Sequence, residues 1–203
     1  MTAPAILPRG LQALRSFADT PPRESCELCG AAIGEGHAHL LNPSQHALRC
    51  TCGPCALLFR EGADAAWLRV PARFQKLKDL VFGDAEWDSL QLPIELAYVT
   101  CASDGAMMAH FPGPAGATDS PISPATWEAL VTMHPQLGEL EPEIEAFLFH
   151  RLGGARATYR VSIDRCFELV GLMRKTWRGL GGGGEAWEAV KRFFADADRS
   201  KNA

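Results

Sequence analysis

Apolar residues recur along this chain in two rhythms, and the places where one gives way to the other lay out its elements. Ile163, Cys166, Val170, Met173 and Trp177 step by three and four along one face, which predicts the clearest amphipathic helix of the chain, opened by Asp164 as N-cap. Trp187, Val190, Phe194 and Ala197 predict a last helix beyond the glycine-rich hinge at Gly179 and Gly181–Gly184. Ser123-Pro124 is a cap followed by a first-turn proline, so a helix with Trp127, Leu130 and Val131 inward is expected there. The same rhythm suggests a helix opened by Glu141-Pro142 with Ile144, Phe147 and Leu148 inward, and shorter ones at Phe74, Leu77 and Val81 and after Asp84, holding Trp87 and Leu90. Near the N-terminus, Leu7, Leu11, Leu14 and Phe17 suggest a short helix over Arg9–Phe17, closed by Asp19-Thr20-Pro21-Pro22.

The β rhythm is clearest at Ile94–Cys101, where an apolar, β-rich run meets the turn Ser103-Asp104-Gly105 and returns through Ala106–Phe111 as a hairpin. Tyr159–Ile163, Trp67–Val70 and Ala56–Phe59 are further expected strands. The small-residue stretch from Phe111 to Ser120 reads as a long loop crossing from hairpin to helix. Together these elements predict an α+β body with an antiparallel sheet and packed helices.

Between Ser25 and Phe59 neither rhythm dominates, and cysteine takes over. Cys26/Cys29 and Cys52/Cys55 are two Cys-x-x-Cys pairs with 22 residues between them. A soft divalent ion takes four thiolates at tetrahedral corners, and two tight knuckles on a hairpin supply them. Gly30 and Gly53-Pro54 suit the knuckle turns, and His37–Leu41 with Ala47–Cys50 suit the two ribbon strands. The module is of zinc-ribbon or rubredoxin-like type. Zn2+ is the first expectation and Fe the alternative, because the same cage holds either. Cys50 is left over: it replaces Cys52 as a ligand or stands beside the site as a companion thiol. His37 and His39 lie near in sequence and read as polar residues on a ribbon strand. Cys52-Gly53-Pro54-Cys55 also reproduces a thiol–disulfide redox tetrad, but that chemistry has no use for Cys26 and Cys29. The expected organisation is an N-terminal arm (residues 1–23), the ribbon (24–62), the body (63–197) and a polar tail (198–203).

Composition narrows the function. The chain has 203 residues, 47% of them hydrophobic, enough for a core beside a small module. A net charge of −4, with no basic patch, argues against nucleic acid as partner. No apolar run is long enough to span a membrane, and the first residues lack a signal-peptide core. Seven cysteines, five of them in one constellation, point to a reducing cytoplasm. No nucleophile–base pattern or metallohydrolase motif occurs. His110, His134 and His150 stand singly and read as structural, as does Cys101. Glu139, Glu141, Glu143 and Glu145 read as a solvated acidic face, and Arg174, Lys175 and Arg178 as cations complementing a helix C-terminus. A non-enzymatic role leads.

The segments C-E-L-C-G, H-A-H-L, R-C-T-C-G-P-C-A-L-L-F, L-P-I-E-L-A-Y, F-P-G-P-A-G-A-T, I-D-R-C-F-E-L-V-G and T-W-R-G-L-G-G-G occur in this order between Glu24 and Phe194. In them the chain resembles an uncharacterised bacterial family encoded beside group 1h-type [NiFe] uptake hydrogenases. The resemblance implies a setting in hydrogenase assembly or electron transfer, with a hydrogenase subunit or maturation factor as protein partner. It implies metal ligands at Cys26, Cys29, Cys52 and Cys55, with Cys50 a recurring companion. The four-cysteine cage, this setting and the Cys52-Gly53-Pro54-Cys55 tetrad together leave three roles: an accessory protein for hydrogenase maturation, a rubredoxin-like one-electron carrier, and a thiol oxidoreductase at Cys52 and Cys55.

Overall fold

A computed structural model describes residues 24–59, 66–179 and 181–199. The helix expected over Arg9–Phe17 lies outside the described residues. The fold is α+β, with two antiparallel sheets. The smaller has the order β2-β1-β3, formed by β1 (Ala38–Asn42), β2 (Ala47–Thr51) and β3 (Leu68–Arg69). The larger has six strands in the order β4-β9-β8-β5-β6-β7: β4 (Phe74–Lys76), β5 (Leu96–Cys101), β6 (Met107–Gly113), β7 (Gly116–Pro121), β8 (Glu145–His150) and β9 (Ala157–Ser162). The helices are α1 (Gly53–Ala56), α2 (Asp84–Ser89), α3 (Pro124–Met133), α4 (Ile163–Thr176) and α5 (Gly183–Arg199).

The large sheet is covered on both faces, because successive side chains of a strand point to opposite sides. Leu96 and Tyr98 of β5, Ala146 and Leu148 of β8, and Tyr159 and Val161 of β9 pack with Cys166, Leu169 and Met173 of α4 and Val190, Phe193 and Phe194 of α5. The alternate residues Ala97, Val99, Phe147 and Phe149 pack on the other side with Trp87 of α2 and Trp127 and Leu130 of α3. Leu41 of β1 and Val70 join the first cluster, so the ribbon is built onto the α4–α5 side of the body.

Four local expectations change. Glu145–His150 is a central strand, not a helix opened by Glu141-Pro142; all but its last residue are buried, since both faces are covered, and the period-two signal vanishes. Phe74–Lys76 is an edge strand paired with β9, not a short helix. Residues 111–120 form a hairpin, not a loop: Gly113 pairs with Gly116 around Pro114-Ala115, and Gly116 takes φ +131°, open to glycine. Ala56–Phe59 is not a strand. Pro54 starts a helical turn in which the Ala56 and Leu57 N–H groups donate to the Cys52 and Gly53 carbonyls at 3.0 and 3.1 Å. The helix caps also move by a residue or two: Gly83, not Asp84, caps α2, and Ser162, not Asp164, caps α4.

The histidines expected to be structural have structural partners. His110 lies 2.7 Å from Asp119 and 2.9 Å from Thr100, stacked on Tyr98. His134 Nε2 lies 2.6 Å from Glu86 Oε1, and the Gly83 N–H donates to the other oxygen. Burial raises the Glu86 pKa, but the Gly83 N–H and His134 outweigh it, and the carboxyl titrates below its ordinary value. A carboxylate lowered in the fold adds stability above its unfolded pKa of about 4.3 and loses it as pH falls through the folded value. Glu86→Gln is therefore expected to cost about 1–2 kcal/mol at pH 6. That difference from the natural protein should shrink as acid protonates the native carboxylate, read by denaturant melts along a pH series.

Candidate metal centre

The first knuckle is a tight turn from Cys26 to Ala31. The Gly30 N–H donates to the Cys26 carbonyl at 2.8 Å, and the Cys26 N–H to the Ala31 carbonyl at 2.8 Å. Gly30 takes φ +74°, so the residue after the second cysteine can turn back. The second knuckle is the end of β2 running into α1, with Cys52 as its N-cap and Cys55 inside the turn. The Glu27 N–H donates to the Cys50 carbonyl at 2.9 Å, and Glu27 Oε1 accepts from the Cys50 N–H at 2.7 Å; these two bonds clamp one knuckle to the other.

The four sulfurs of Cys26, Cys29, Cys52 and Cys55 all lie within 4.8 Å of one another, and those of Cys29 and Cys52 are 3.7 Å apart. A tetrahedral centre with metal–sulfur bonds of about 2.3 Å puts its sulfurs about 3.8 Å apart. Cys26 is buried, Cys29 is exposed and the other two are half-buried, which places the cluster at the surface. Together the four can hold a metal ion.

The proton affinities of Cys26 and Cys55 diverge. Burial opposes ionisation of Cys26, yet N–H groups of Cys52, Leu28 and Cys29 and the Cys29 thiol bring it down to about 6. Hydrogen bonding to Cys52 and Cys29, then burial and Cys26, push Cys55 up to about 12. One thiolate is tolerated; further negative charge in the same space is resisted. A cation removes that conflict, so metal binding here displaces protons.

Cys50 does not join the four. It groups instead with His37 and His39, one ligand atom of each lying within 4.8 Å of the others. Burial and the Glu27 and Glu24 carboxylates raise its thiol pKa. The expectation of His37 and His39 as polar strand residues overlooked their partners: His39 Nδ1 lies 2.8 Å from Asp164 Oδ2, across 125 residues of chain. No local signal announces such a pair. Burial raises the Asp164 pKa, but bonds from His39 and Ser162 outweigh it and lower the carboxyl. The acidic run needs correction too. Glu139, Glu141 and Glu143 are solvent-facing to differing degrees, but Glu145 is 0% exposed and bound by Arg73 and Arg160.

The fold and the site define an α+β protein that carries a four-cysteine cluster of metal-binding geometry on a small β-ribbon. No helix among the described residues is long and apolar enough to cross a membrane. The chain belongs to a family of unknown function, DUF5947, which matches residues 25–201. No curated protein and no solved structure matches the chain.

Proposed function

We propose that the chain is a metal-binding accessory protein that acts through protein–protein contacts in the maturation or assembly of a [NiFe] hydrogenase. Cys26, Cys29, Cys52 and Cys55 hold Zn2+ as a closed structural site. The observation that carries the metal is the 3.7 Å sulfur–sulfur approach within a set of four. The hydrogenase setting rests on the sequence resemblance from Glu24 to Phe194. The metal staples the two knuckles of the ribbon together, since all four cysteines lie in it, and shapes the surface around them. Leu28, Leu57 and Leu58 are exposed beside the cysteines, the last at 77%, and offer the partner an apolar face. The partner is a hydrogenase subunit or maturation factor, the compartment the cytoplasm.

Elemental analysis and a visible spectrum of anaerobically purified protein test the metal: one zinc at the four-cysteine centre and no colour from it are expected. Co-purification with hydrogenase subunits tests the role. No association, together with full hydrogenase activity in a deletion strain, overturns it.

The exposure of Cys29 favours one further reading, an iron-loaded rubredoxin-like carrier, since electron transfer needs a ligand near the surface. Thiolate-to-iron absorption that bleaches on reduction supports it; a colourless zinc protein rejects it.

A further inference from the structure

A second set of ligand atoms converges on the other side chains of the ribbon. His39 and Cys50 are directly opposed across the β1–β2 pairing, and His37, just before β1, brings a ring nitrogen within 4.8 Å of both. The two imidazole rings lie 4.6 Å apart at 63°.

Their hydrogen bonds decide which nitrogen is free. His37 Nδ1 lies 2.9 Å from the Gly34 carbonyl oxygen, which only accepts, so Nδ1 carries the proton. Glu24 Oε2 stands 3.4 Å from the same nitrogen. That leaves His37 Nε2 as a lone pair, and this atom is buried with no hydrogen-bond partner. A buried acceptor left unmatched destabilises a fold unless something binds it. His39 Nδ1 faces the Asp164 carboxylate at 2.8 Å and so carries a proton, which makes Nε2 the lone-pair nitrogen of the neutral ring. An imidazole oriented through Nδ1 by a carbonyl or a carboxylate, with Nε2 presented elsewhere, is how histidine is held as a metal ligand.

Two neutral imidazoles and a thiolate make a borderline-soft donor set suited to a late first-row divalent ion. Three protein ligands leave a coordination position for water or another exchangeable ligand. His37 and His39 line an open cleft of about 1140 Å³ between ribbon and body, bounded also by Arg73, Gln75 and Asp164. We propose that His37, His39 and Cys50 form a second metal site for such an ion, with Asp164 orienting His39 and the fourth position facing this cleft. The site is distinct from the four-cysteine centre and stands whether that centre takes zinc or iron.

The test is metal content of the full chain after equilibration with Zn2+ under reducing conditions and gel filtration. One zinc beyond the content of the four-cysteine centre is expected. His37→Ala and Cys50→Ser should each lose that ion alone, while keeping the first metal and a cooperative melt. Co2+ at the second site should add thiolate-to-cobalt absorption that Cys50→Ser and His37→Ala each abolish. Asp164→Asn should keep the stoichiometry at saturating metal but weaken the second binding roughly 10–100-fold. A natural protein holding no second ion overturns the proposal. So does a second ion unaffected by His37→Ala and Cys50→Ser, or loss of the first ion in Cys50→Ser, which would make Cys50 a ligand of the four-cysteine centre.

Discussion

Cys26→Ser, or removal of metal by a strong chelator under reducing conditions, is expected to unfold the ribbon while the six-stranded sheet survives. The reason lies in how little else holds residues 24–56 together. Leu40, Leu41 and Ala56 are among its few fully packed apolar side chains, and its sheet has three short strands. The knuckles rest on a handful of backbone bonds, from Cys26 to Ala31, Gly30 to Cys26 and Glu27 to Cys50. Apolar burial of this size leaves a small unit marginal. Structural zinc in such modules binds with about 10–16 kcal/mol at neutral pH, and that energy is folding energy. The two clusters on the faces of the large sheet take Leu41 as their one buried residue from the ribbon and none of the four cysteines, so the body keeps nearly all of its core. Amide hydrogen exchange reads the outcome by segment. Residues 26–55 should lose protection, with the β5–β8–β9 amides still slow. A metal-free protein with the ribbon amides still protected would show that packing alone suffices.

Glu145→Ala is expected to destabilise the body by about 3–5 kcal/mol, the cost of stranding partners around a removed buried charge. Glu145 is fully buried at the start of β8. Its Oε2 accepts from Arg160 Nε at 2.7 Å, approaches Arg160 Nη2 at 2.6 Å and accepts from the Glu141 N–H at 3.1 Å. Its Oε1 lies 2.7 Å from Arg73 Nη1, an ion-pair contact that lacks the alignment of a hydrogen bond. Arg160 keeps only 17% of its side chain exposed and has no equally close replacement, its other carboxylate contact being Glu139 at 3.4 Å. Arg73 is 36% exposed and recovers much of its loss in water, which holds the figure toward the lower end. Glu145→Gln should fall between the two, keeping shape and one acceptor. Urea unfolding of the three proteins measures the series; a loss under 1 kcal/mol for the alanine variant would mean that water already shares these charges.

Much of the body was legible in local pattern. Helices α3, α4 and α5 each expose one face, so their apolar residues keep the 3.6 period, and Ser123-Pro124 marked the start of α3. The β5–β6 hairpin announced itself through its turn at Ser103-Asp104-Gly105, and the ribbon strands lay between the two cysteine pairs. A Cys-x-x-Cys pair brings its own two sulfurs together by chain geometry, which is why those cysteines could be singled out without coordinates.

The failures share a cause, since each element's state depends on partners far along the chain. Strand β8 is buried on both faces, so Phe147 and Phe149 face one core while Ala146 and Leu148 face the other, and no alternation remains to be read. Phe74–Lys76 became a strand because β9 offered an edge, and residues 116–121 because β6 did. Glu145 lay in an acidic run that looked solvated until Arg73 and Arg160 enclosed it. His39 met Asp164 only when α4 packed beside the ribbon. Residue type and spacing were enough to find the four thiols, because the chemistry of a knuckle is local. The His37–His39–Cys50 cluster and the cleft beside it depend on strand register and on the packing of ribbon against body, and those are properties of the folded chain alone.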